Sequence, residues 1–304
     1  MEYRNSKLSA HAALFLVNTL YGASHVVAKD VLGNYLEPSV FILFRVSGAV
    51  LLFWMMRLLF QTEKVERKDL GLLAICGLFG VAVNQLFFFY GLHYSSAINS
   101  GIIMAANPIM VLILSYFILK ETISWMKMSG ILIGATGVIL LTLQSASSTP
   151  KASWGDAFLF INAFSYALYL VLAKPLMRKY SPMTVITYVF TFGFFFVLLF
   201  PPTVTNLMQT SFASFPPSIW IKIIYVIVGV TFLTYLLTMY GLKQLSPSVS
   251  SVYIYIQPIM VILFAYLFVQ FGISADQTKT ITGIKILLML LIFLGVFLTT
   301  KKGK

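Results

Sequence analysis

Apolar runs of bilayer-crossing length alternate with short polar breaks along the whole chain. Ten can be marked: 8–28, 38–60, 70–92, 96–119, 124–143, 155–177, 182–201, 218–242, 247–270 and 281–299. A helix of about 20 apolar residues covers the roughly 30 Å hydrocarbon core of a membrane. Each run therefore predicts one spanning helix, and the fold class is all-α, integral membrane. A polar stretch at 144–153, rich in Ser and Thr with one Pro, reads as a linker dividing the spans into two sets of five. The longest loop is expected at about 202–217, and the break between spans three and four is short enough for a hairpin.

The two sets are copies of one unit. Residues 90–124 align without a gap on 240–274, a shift of 150, with twelve identities in thirty-five positions. Asn107-Pro108 in one copy becomes Gln257-Pro258 in the other, and Tyr21 through Lys29 matches Tyr166 through Lys174 at a shift of 145. The units are 8–143 and 154–300, with the linker 144–153 between them, inside one domain covering 1–304. Five spans carry the chain to the opposite side of the membrane, so the second unit must be inserted upside down. Inverted repeats of this kind build many secondary transporters, with the solute site near the midplane where the halves meet.

Composition agrees with this reading and removes other classes. Hydrophobic residues make up 59 % and charged residues 10 %, against about 45–50 % and about 25 % in soluble domains. The net charge of +12 suggests nucleic acid until the charges are placed. With the amino terminus inside, fifteen Lys and Arg fall at inner segments, and only Lys29, Lys151, Lys222, Lys279 and Lys285 at outer ones. This bias predicts a multi-pass protein of the cell inner (plasma) membrane with both termini cytoplasmic. It also accounts for the basic excess, so no nucleic-acid partner is expected; the partners are membrane lipid and a small-molecule solute. The single cysteine, Cys76, stands in an apolar run, and neither a metal site nor a cofactor is predicted.

Polar residues inside spans are costly and so informative. Span one carries Asn18, Tyr21, His25 and Lys29 at helical spacing, and span six carries Asn162, Tyr166 and Tyr169. Span four has Asn99 and Asn107; span nine has Ser250, Tyr253 and Gln257; span three contributes Asn84 and Gln85; span eight contributes Tyr235 among threonines. Such residues can simply bond helices together, or they can face one hydrated cavity. The candidate solute-binding set is Asn18, Tyr21, His25, Gln85, Asn99, Asn107, Tyr166, Tyr169, Tyr235, Tyr253 and Gln257. Pro108 and Pro258 occupy equivalent places and are either hinges or static kinks. Gly130, Gly134 and Gly137 permit close helix approach, within the chain or in a dimer, so the protein is expected as a monomer or homodimer.

No Asp or Glu lies deep in a span. His25 is left as the one candidate for proton coupling, with a structural histidine as the alternative. The charges within spans are positive: Lys29, and Arg45 seven residues past Pro38, roughly 10 Å below the outer surface. Carbonyls freed at kinks, Glu37 or a solute carboxylate are the available partners for Arg45. A cationic interior without acids favours zwitterionic or anionic solutes.

The ensemble resembles the EamA-type permeases of the drug/metabolite transporter superfamily. The residues that carry the likeness are Tyr21-Gly22 and Lys29, Arg45, Asn107-Pro108, Lys120-Glu121, and Gly130, Gly134 and Gly137. Two features depart from the pattern: Tyr21 stands where the family often has Trp, and Glu121 has no acidic counterpart in the second unit. The resemblance implies a secondary transporter working by alternating access, in the direction of efflux, on small metabolites such as amino acids. A nutrient importer or a sugar- or nucleotide-linked carrier of the same superfamily is the alternative. A membrane-embedded enzyme is a remote one, because no zinc motif, aspartate pair or nucleophile elbow is present.

Overall fold

The computed structural model describes residues 2–31, 35–60, 63–94, 103–104, 106–144, 154–270 and 283–300. These form helices and no strands: α1 (Glu2–Val31), α2 (Pro38–Phe60), α3 (70–94), α4 (Asn107–Leu119), α5 (Trp125–Gln144), α6 (Trp154–Lys179), α7 (Pro182–Leu198), α8 (217–244), α9 (247–270) and α10 (Gly283–Thr300). By length and composition, Pro38–Phe60, Arg67–Gly91, Ala157–Lys179 and Pro217–Gln244 can each cross a membrane, among the described residues. The exterior is apolar as lipid requires: Leu51 and Phe60 are 72 % and 71 % exposed.

Local chemistry sets several boundaries. Ser181 and Ser246 cap α7 and α9, each accepting a backbone N–H three residues on, with Pro182 and Pro247 at the first helical position. Lys120 adopts the left-handed conformation, φ 54°, and ends α4. The expected loop at 202–217 is in part helical, with a short helix Pro201–Gln209 bent 73° from α7 and a 3₁₀ turn Phe212–Ser214. Pro201 and Pro202 explain the difference: extended Phe200 stops α7, and the prolines suit the first turn of a new helix.

Three helices are irregular, two of them in matching places. In α3 a π-helical stretch, Leu78–Val83, separates Leu70–Gly77 from Asn84–Tyr94. In α8 a π-helical stretch, Val226–Leu233, separates Pro217–Tyr225 from Thr234–Gln244. The shift of 150 superimposes these stretches, so both units widen the same helix at the same depth. In α9 a 3₁₀ segment, Tyr253–Ile256, lies between Pro247–Val252 and Gln257–Gln270. Pro258 has no N–H for the carbonyl four residues back, and Gln257 N–H takes the Ile254 carbonyl instead, tightening the turn.

The last helices of the two units, α5 and α10, pack through glycines. A Cβ on Gly295 would lie 2.5 Å from Gly134 N and 2.7 Å from Gly130 O, so backbone meets backbone. The face holding Gly130, Gly134 and Gly137 is thus filled from within the chain, by α10 and by the ring of Tyr255. The start of α1 and the end of α6 both meet the end of α8. Ser9 Oγ lies 2.7 Å from Tyr240 OH, and Lys174 Nζ donates to the carbonyls of Leu242 and Leu245. The first helices of the two units therefore run in opposite directions.

Candidate functional site

A cavity of about 130 Å³ lies where α1, α2, α3, α4, α6, α8 and α9 converge. Seven predicted residues line it: Tyr21, Arg45, Gln85, Asn107, Tyr166, Tyr235 and Gln257. The π-helical stretches and the prolines shape its walls. Asn84 and Gln85 follow the first π stretch directly, while Val226 and Val230 lie within the second and Tyr235 just after it. Met104 and Ile254, each four residues before a proline, also line the cavity. Pro108 itself is buried in the first turn of α4.

The repeat is visible in the bonding. Gln85 and Tyr235 are equivalent under the shift of 150, and Gln85 Nε2 donates to Tyr235 OH at 3.3 Å. Equivalent residues that touch each other must sit on the axis relating the two units. Off that axis the contacts come in pairs. Asn107 Nδ2 donates to the Ala163 carbonyl at 2.7 Å, and Gln257 Nε2, its counterpart, donates to Asn18 Oδ1 at 2.9 Å. Since Asn18 corresponds to Ala163, both proline-bearing helices are tethered to the first helix of the other unit. Tyr21, the counterpart of Tyr166, bonds Thr234 Oγ1 at 3.1 Å.

Arg45 is 7 % exposed and is the charge in the wall. Its Nε donates to Thr231 Oγ1 at 3.0 Å, and its guanidinium lies 5.6 and 5.4 Å from the ring centroids of Phe41 and Phe89. The partners found are a hydroxyl and two aromatic faces, and no acidic side chain is among the lining residues. Aromatic rings attract a cation without neutralising it, so the lining residues carry a net positive charge. Two acceptors there are also unmatched. Gln85 Oε1 and Asn107 Oδ1 are buried without a hydrogen-bond partner among the described residues, at a cost on the order of 1–3 kcal/mol each.

Three predicted residues stand outside the wall. Tyr169 is fully buried behind it, donating to Met239 Sδ at 3.3 Å, with its ring against Gly80. Tyr253 bonds His11 Nδ1 at 2.6 Å, away from the cavity. Asn18 supports Gln257 and faces a second, water-sized pocket of about 10 Å³ shared with Tyr166, Thr238 and Ser250. Asn99, and the side chains of His25, Lys29 and Pro258, lie outside the described residues. Ser24, Asn84 and Asn162 join the lining without having been singled out as binding residues. Asn162 holds the Asn84 carbonyl at 2.6 Å, beside the π stretch.

Comparison with known proteins bears on the whole chain. The sequence model of the EamA-like transporter family matches residues 8–143 and again 153–301. An uncharacterized transporter, YetK, of Bacillus subtilis (strain 168) is 28 % identical over 267 residues, covering 84 % of this chain and 78 % of that protein. An uncharacterized transporter of Archaeoglobus fulgidus is 27 % identical over 309 residues, covering 98 % of this chain and 99 % of the other. A solved crystal structure shares the fold with a TM-score of 0.73 at 17 % identity, over 97 % of this chain and 98 % of that one.

Proposed function

The chain belongs to the EamA-like transporter family, and we propose that it exports small zwitterionic or anionic metabolites, amino acids among them, by alternating access. It is a multi-pass membrane protein with two repeated units, and a transporter rather than an enzyme. The observation that carries the solute class is Arg45, a buried cation in a wall without acids, whose remaining donors suit a carboxylate. Opposed first helices and contact between Gln85 and Tyr235 support two inverted units rocking about an axis through the cavity. Pro108, at the start of α4, and Pro258, after the 3₁₀ segment of α9, are the hinges in this reading. Both termini lie in the cytoplasm of a cell whose plasma membrane holds the protein, as the Lys and Arg bias favours.

Counterflow in liposomes tests the proposal. Full-length protein is reconstituted and loaded in turn with amino acids, carboxylates and organic cations, with and without a pH gradient. Saturable exchange of amino acids or carboxylates is expected. Exchange confined to organic cations contradicts the solute class, and no exchange of any class by folded protein contradicts transport itself.

A further inference from the structure

Contacts between the two units are of two kinds. Some are made at both ends of the bundle at once. A Cβ added to Gly241 would meet Leu14 at 2.7 Å, and one added to Gly91 would meet Leu159, the counterpart of Leu14, at 2.8 Å. Units that exchange conformations keep such contacts in either state. Others are made at one end only. Where α1 begins, His11 Nδ1 lies 2.6 Å from Tyr253 OH, and Ser248 Oγ donates to Glu121 at 3.0 Å. Both bonds join the first unit to the first half of α9, where Tyr253 and Ser248 are 7 % and 0 % exposed. Under the shift of 150, Tyr253, Ser248 and Glu121 correspond to Ile103, Ile98 and Phe271. None of those three has a polar side-chain atom, so the mirrored arrangement can form neither bond.

The first half of α9 also floors the cavity. Ser250 and Ile254 line the water-sized pocket with Asn18 and Thr238, and that pocket shares Tyr166 and Ile254 with the larger cavity. His11 precedes the cavity residue Tyr21 by ten positions, about 15 Å along a helix. A solute leaving by this end would pass the small pocket and then the two bonds. We propose that the His11–Tyr253 and Glu121–Ser248 bonds are a latch, which holds the cavity shut where α1 begins and makes that closed state the resting one. The latch rests on the alternating-access reading above. Opening at this end parts the units and breaks both bonds, whereas opening at the other end breaks no equivalent pair.

Thiol labelling of the full-length chain in oriented vesicles decides this. Thr238→Cys, in the small pocket and 4 % exposed, reports opening at the end where α1 begins. Ser24→Cys, in the larger cavity, reports access from the opposite face. In Tyr253→Phe with Ser248→Ala two hydrogen bonds are lost, and labelling of Thr238→Cys from the α1 face should rise about tenfold, because it follows the population of the open state. Labelling of Ser24→Cys from the opposite face should stay within about twofold. Tyr253→Phe and Ser248→Ala alone should each give an intermediate rise, which keeps the test open if the double variant folds poorly. No rise at Thr238→Cys in any of these variants overturns the latch, and so does an equal rise at both positions, the mark of loosened packing. Ser24→Cys labelled from one face alone in every variant overturns alternating access as well; labelling from both faces without response to the variants overturns the latch only.

Discussion

The cavity wall and the end of the bundle where α6 stops are both polar, yet their charges are handled in opposite ways. At the end of α6, Lys179 bridges Glu66 at 2.7 Å and Asp69 at 2.5 Å. Glu121 accepts from Lys127 at 2.6 Å and from Ser248 at 3.0 Å, and Glu63 accepts the Ser181 N–H at 3.0 Å. Lys174 donates to three carbonyls at the junction of α8 and α9. In the cavity, Arg45 has a hydroxyl and two rings, and two amide oxygens have no partner among the described residues. Charge compensated inside the chain ties elements together. A buried charge without an acidic partner in the wall is what the proposed solute site requires.

Substitutions that move each region toward the other should separate these roles. The largest effect is expected from Arg45→Met, which removes the cation. Losing one side of a buried charge contact costs on the order of 2–5 kcal/mol, so exchange should fall roughly a hundredfold at a nearly unchanged melting temperature. Gly295→Leu strikes packing alone, since its Cβ would already meet the Gly134 backbone at 2.5 Å. Overpacking of about 1–3 kcal/mol should lower the melting temperature in detergent without altering which solutes compete. Lys174→Met leaves three carbonyls uncapped and should raise thiol labelling of Ser251→Cys, a buried position near that junction, several-fold.

The smallest effect is expected from Glu66→Gln, which should leave exchange within twofold. Lys179 and Lys68 hold the Glu66 carboxyl below its ordinary 4.5. A depressed folded value means that its contribution is present above 4.5 and lost only as pH falls through the lower value. Glu66 should therefore give no pH response between pH 5 and 8. A step in that range that disappears in Glu66→Gln contradicts the purely structural role of this pair.

Much of this contrast is legible in the residues. Hydropathy dictates the helices, because lipid tolerates little else. Tyr21, Tyr166, Asn107, Gln257 and Arg45 stand out as polar groups in apolar runs, and all five line the cavity. The register within a helix is harder to read. Tyr253 and Gln257 share a face only at α-helical spacing. The 3₁₀ segment before Pro258 instead brings Ile254 and Gln257 onto one face, as three residues per turn requires, and turns Tyr253 to His11. Tyr169 follows Tyr166 by three residues and falls to the side of the stripe, where Gly80 leaves room for its ring. The π stretches pack against helices of the other unit, which no local pattern records. The bonds of Gln85 to Tyr235 and of Asn107 to Ala163 likewise emerge only from the packed structure.

A solute site at this cavity, under the proposed alternating access, must be reached from each side of the membrane in turn. Ser24 lines it and is 8 % exposed, so a thiol introduced by Ser24→Cys reports on access. The natural thiol, Cys76, is fully buried in α3 and should stay silent. Impermeant thiol reagents should label position 24 from both faces of oriented vesicles, and a transported amino acid should slow labelling from both. Labelling from one face alone, or labelling indifferent to every solute that the protein exchanges, contradicts the account.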